Sequence, residues 1–127
     1  MIALVHVATG AALGAVVRSR VLVAVVGVGL HLAQDSVPHK DTTRRFEIAT
    51  GLFGVGLVAA RRGLLDPTTI GALACSAPDV EHVLPMPFGS SKLFHEGRGW
   101  HRSGSLSVRT QVIVASLVLS GVLVRRG

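Results

Sequence analysis

Apolar residues gather in five runs along this chain: Ile2 to Val17, Val21 to Ala33, Phe46 to Ala60, Pro67 to Ala77 and Val108 to Val124. Read as helices, all five fall short of the ~20 residues of a standard membrane span. The fourth has a clear start, because Asp66 can cap it and Pro67 suits the first helical position. Pro78 then ends or kinks it. The polar linkers are brief except for Glu81 to Ser107, which holds Pro85, Pro87, Gly89, Gly97, Gly99 and Gly104 and reads as a long loop. Long loops in compact domains are usually functional or disordered, and His82, His95 and His101 favour function here. Gly10 and Gly14 stand in a GxxxG spacing, and Gly27, Gly29, Gly51, Gly54 and Gly56 add further small residues. In lipid, such residues let helix backbones approach closely. The expected architecture is all-α: one domain over residues 1–127, a small multi-pass membrane bundle of about four to five short transmembrane helices.

Composition sharpens that picture. The hydrophobic fraction is 49% and the charged fraction 16%, with a mean hydropathy of +0.55. The net charge of +6 does not point to nucleic acid, because the basic residues are scattered and tyrosine is absent. No basic stripe carries interleaved aromatics. Arginine pairs flanking apolar runs read instead as membrane-interface anchors. Cys75 is the single cysteine, so no internal disulfide is expected. It reads as a buried packing thiol. Met1 to Val17 lacks the basic start and cleavage site of a secretory signal peptide.

Chemistry is segregated along the same runs. Arg18/Arg20, Arg61/Arg62 and Arg125/Arg126 lie at one end, whereas His6, His31, Asp35, His39, Asp79, His82, His95 and His101 lie at the other. Measured along a helix from the arginine end, His6 is ~18 Å deep, His31 ~16 Å, Glu47 ~21 Å and Asp79 ~20 Å. Polar residues from four segments therefore converge at one depth. Ionisable groups inside a bilayer are costly and are usually paired, hydrated or metal-bound. A recessed pocket opening to one face is expected.

Three motifs carry candidate ligands. In His31-Leu32-Ala33-Gln34-Asp35-Ser36-Val37-Pro38-His39, His31 and Asp35 share a helix face, and Pro38 can return His39 toward the same point. In Ala77-Pro78-Asp79-Val80-Glu81-His82, Asp79 and His82 are three apart. Phe94-His95-Glu96-Gly97-Arg98-Gly99-Trp100-His101-Arg102-Ser103-Gly104 offers glycines for close substrate approach and Arg98 and Arg102 for a phosphate or carboxylate. Trp100 suits the membrane interface. Imidazole with carboxylate suits zinc, and also manganese or iron. Each motif also has a plainer reading: a helix-end His and Asp pair, a capped loop start and a solvated basic loop. Asp41, Arg44 and Arg45 read as a solvated helix start.

An early His, an HxxxD with a following PH, a PDxxH and a Gly-Trp-His-Arg-Ser loop before the last helix occur in that order. The chain in this respect resembles the membrane-bound metal-dependent hydrolases, the YdjM-like or LexA-binding inner-membrane family, over most of its length. It is more faintly similar to the zinc-dependent phospholipase C group. The resemblance implies a site of His6, His31, Asp35, His39, Asp79, His82 and His101. Where that family has a compact His-Arg-Gly-x-Thr-His-Ser, this chain lacks the threonine, and His95 is displaced.

The leading expectation is a membrane-embedded metal-dependent hydrolase of an ester or phosphoester, with a lipid as a fitting substrate. His6, His31, Asp35, His39, Asp79 and His82 would bind a divalent metal, foremost zinc. His101 would protonate the leaving group, and Arg98 or Arg102 would hold a phosphate. The alternatives are a metal-binding or transport protein without catalysis, and a small structural or regulatory membrane protein. The arginine-pair face carries six Lys/Arg and the site face seven, so orientation is nearly balanced. The tight clusters favour the arginine pairs inside an inner membrane and the site outside the cytoplasm. Oligomeric state is left open.

Overall fold

The computed structural model describes residues 1–82 and 102–124. Five α-helices occur among them: α1 (Ala3–Val17), α2 (Arg20–Asp35), α3 (Arg44–Arg62), α4 (Pro67–Ser76) and α5 (Val108–Val124), with a 3₁₀ turn over Ala77–His82 following α4. The all-α class expected from the sequence is what the structure shows. No helix among the described residues is long and apolar enough to cross a membrane.

Local chemistry explains the element ends. Arg18 adopts a left-handed conformation (φ 59) that lets the chain reverse at once, and the Ser19 hydroxyl then accepts from Leu22 N–H. Thr43 caps α3 by accepting from Phe46 N–H, and Arg61 and Arg62 in its last turn suit the negative end of the helix dipole. Asp66 accepts from Thr68 N–H at 2.8 Å ahead of Pro67. Pro78 cannot donate to an α-helical ladder, and the chain tightens there into the 3₁₀ turn. The polar residues His31 to Asp35 and Arg44 to Glu47 continue α2 and α3 beyond their apolar runs.

Helix α1 is the centre of the bundle and is in contact with α2, α3, α4 and α5. Its residues Ala3 to Ala8 are all buried, as expected of a helix apolar on every side. The most extensive apposition is with α4, which runs antiparallel to it. A Cβ on Gly10 would strike the Gly71 carbonyl oxygen, and one on Gly14 the Pro67 carbonyl oxygen. The GxxxG spacing is thus a close backbone approach, which only glycine permits. Gly71 is the reciprocal contact on α4.

The buried start of α1 takes its hydrogen-bond partners from other helices, as free helix N–H groups require. Ile2 N–H donates to Gln111 Oε1 at 2.9 Å, and Ala3 N–H donates to Glu47 Oε2 at 2.6 Å. The second Gln111 function donates to Lys40 O at 2.9 Å. At the opposite end, the Arg62 guanidinium donates to Val122 O. The helices alternate in direction, so the start of α1, the end of α2, the start of α3 and the end of α4 meet at one pole.

The chain from Arg102 to Leu106 is hydrogen-bonded along that pole. Arg102 N–H donates to Asp35 O at 3.0 Å, and His39 N–H donates to Arg102 O at 3.1 Å. Gly104 N–H donates to His39 O at 2.8 Å, and Gly104 sits so close to Pro38 that a Cβ would collide with it.

Candidate metal centre

The last turn of α2 carries the heart of the site. His31 and Asp35 face the same way, and Asp35 Oδ2 lies 3.3 Å from His31 Nε2. From the first turn of α1, His6 brings its Nε2 to 3.2 Å from Asp35 Oδ1. That same oxygen also receives the Met1 amino nitrogen at 2.5 Å. From the 3₁₀ turn after α4, Asp79 Oδ1 stands 3.9 Å from His31 Nε2. His6, His31 and Asp79 each present one ligand atom, all within 4.8 Å of one another, and this group can hold a metal ion. The two imidazole rings lie 4.0 Å apart, centroid to centroid, tilted by 31°. Both histidines are fully buried, whereas the Asp79 side chain is 23% exposed. Asp79 is thus the partly exposed member of the trio.

The other ring nitrogens are held by oxygen acceptors. His31 Nδ1–H donates to Cys75 O at 2.8 Å. His6 Nδ1 lies 2.7 Å from Gln34 Oε1. With the proton held on Nδ1, each Nε2 is the nitrogen left to bind an ion, once any proton it shares with Asp35 has gone. His6 Nε2 is buried and in no hydrogen-bond geometry with any described residue, although Asp35 Oδ1 is near. Two imidazole nitrogens and a carboxylate oxygen within 4.8 Å of one another are a donor set that fits a divalent ion.

The remaining sequence candidates fall in different places. His39 is fully buried but stands outside the trio: its Nδ1–H donates to Val37 O at 2.6 Å, and its Nε2 lies 3.2 Å from Asp41 Oδ1. Asp41, expected as part of a solvated helix start, is thus tied to His39. Glu47 reaches the same pole, as its depth implied, but its carboxylate caps α1 and accepts from the Thr42 hydroxyl at 2.7 Å. The Arg102 side chain is exposed, and its backbone is bonded to the end of α2. The His82 side chain, His95, Arg98, Trp100 and His101 lie outside the described residues, as does most of the 81–107 loop.

Sequence reasoning passed over Gln34, Thr9 and the Cys75 carbonyl, which surround the two histidines from behind. The available signal was an amide lodged between His31 and Asp35 on one helix. A half-buried amide needs partners, and they had to come from neighbouring helices.

Comparison of this chain with protein-family models, with curated proteins and with solved structures finds no match in any of the three.

Proposed function

We propose that this protein is a membrane-embedded, zinc-dependent hydrolase of an ester or phosphoester, built along the lines of the membrane-bound metal-dependent hydrolases it resembles. The observation that carries the reading is the convergence of His6, His31 and Asp79, each with one ligand atom, within 4.8 Å of one another. Two imidazoles and a carboxylate match the ligand set of catalytic zinc sites, and manganese or iron would also be accepted. A divalent ion held there supplies Lewis acidity, lowering the pKa of water to about 7 and polarising an ester or phosphoryl oxygen.

The chain's own residues divide the remaining work. Asp35 faces both histidines and sets their spacing. Asp79, the partly exposed member, is assigned the side facing substrate. His101 is assigned protonation of the leaving group, and Arg98 and Arg102 the substrate phosphate.

Membrane embedding is supported by the outer surface. Val16, Val21, Val25, Leu52, Phe53 and Leu117 are each about 70% exposed, on four of the five helices. Soluble monomers rarely leave so much apolar side chain in water. The 15 to 19 residues of α1, α2, α3 and α5 correspond to ~22–28 Å, and local bilayer thinning accommodates such a shortfall.

The test is hydrolysis by detergent-purified protein, assayed with short-chain aryl esters, bis-aryl phosphodiesters and phospholipid micelles. The expected result is turnover that disappears with chelator, returns with added zinc and is lost in Asp79→Ala. Stoichiometric zinc without turnover of any of these would replace the hydrolase with a metal carrier. No bound metal would remove both.

A further inference from the structure

We infer that Gln34 is a positioning residue that fixes the protonation pattern of His6 and so makes its Nε2 a metal ligand. This rests on the metal-centre reading. Thr9 orients the Gln34 amide. Its hydroxyl donates along α1 to Val5 O at 2.8 Å, so its oxygen is left to accept. Gln34 Nε2 donates to that oxygen at 2.6 Å. The amide is thereby oriented with Oε1 toward His6, 2.7 Å from Nδ1. The Cys75 thiol approaches the same Oε1 at 3.8 Å, as a weak donor that agrees with this orientation. An oxygen acceptor at Nδ1 requires the proton there, so Nε2 is the ring nitrogen left to give its lone pair to a metal.

The reverse arrangement fails at Thr9. With the amide turned over, His6 would carry its proton on Nε2. Gln34 Oε1 would then face the Thr9 oxygen, whose proton is already given to Val5 O. Gln34 also sits between the two α2 residues that face the site, His31 and Asp35. One turn of helix therefore supplies a candidate ligand, the carboxylate that spaces the histidines, and the group that prepares His6. Outer-shell partners of this kind are worth about 10- to 100-fold in metal affinity.

Competitive zinc titration of the purified full chain, with Gln34→Leu and Gln34→Glu beside the wild type, tests the assignment. Gln34→Leu is expected to weaken zinc by about 10- to 100-fold. Gln34→Glu, which keeps an acceptor at Nδ1, is expected to restore affinity to within about threefold of wild type. A merely structural role would not be rescued by introducing a charge. A second readout is the ¹⁵N spectrum of the zinc-loaded protein, where His6 Nδ1 should retain its proton and Nε2 should carry the metal. Gln34→Leu binding zinc as tightly as wild type, or His6 bound through Nδ1, would overturn the role of Gln34 while leaving the metal centre standing. A wild type that binds no zinc would overturn both.

Discussion

His31→Ala is expected to strip the protein of its ion while the helices remain. His31 is fully buried, meets both Asp35 and Asp79 through Nε2, and is anchored to α4 through the Cys75 carbonyl. Loss of a direct ligand should exceed the 10- to 100-fold cost of losing an outer-shell partner, so affinity should fall by more than about 100-fold. The Cys75 carbonyl is left without this donor, which costs about 1–3 kcal/mol in addition. Elemental analysis after a chelator challenge reads the first effect, and thermal unfolding in detergent reads the second. Arg61→Ala, at the opposite pole, should keep the ion. Retention of the ion by His31→Ala with wild-type affinity would remove His31 from the centre.

Gly10→Val should be the most damaging single change to the bundle. The added Cβ would meet the Gly71 carbonyl oxygen, and lies 2.7 Å from Gly71 C and 2.6 Å from Cys75 Cβ. Two of those three neighbours are backbone atoms, which cannot swing away as a side-chain tip can. Overpacking a core typically costs 1–3 kcal/mol, and a backbone collision belongs at about 3 kcal/mol or more. Separating α1 from α4 also separates His6 from Asp79, so the ion should be lost with the fold. Gly56→Ala is the contrast: nothing lies within 4 Å of its Cβ position, and it sits inside α3. Its effect should be neutral or a gain of at most about 1 kcal/mol. Equal melting of Gly10→Val and wild type would refute the close α1–α4 approach.

Hydrophobic patterning located all five helices, because apolar runs bounded by polar residues are a local property. The ends of α2 and α3 were less legible, since His31 to Asp35 and Arg44 to Glu47 are polar yet remain helical where the poles of the bundle meet. The pairing of His31 with Asp35 followed from helical spacing alone. The depth of His6 followed from counting residues back from Arg18. What spacing could not supply was the partner of each group. Glu47 and His6 stand at a similar depth, but Glu47 is taken by the start of α1 whereas His6 turns toward Asp35. His39 follows the same motif as His31, but the bonds between His39 and residues 102–104 hold the chain where its ring meets Asp41. Gln34 was silent because its importance depends on Thr9 and Cys75, which are 25 and 41 residues away in the chain.

X-ray absorption on zinc-loaded protein tests the metal centre most directly. The expected result is about one zinc per chain, with imidazole scattering from His6 and His31 and oxygen donors completing the shell. Both imidazole contributions should vanish in the His6→Ala/His31→Ala double variant. Zinc that fails to bind stoichiometrically, or that binds without imidazole scattering, would contradict it.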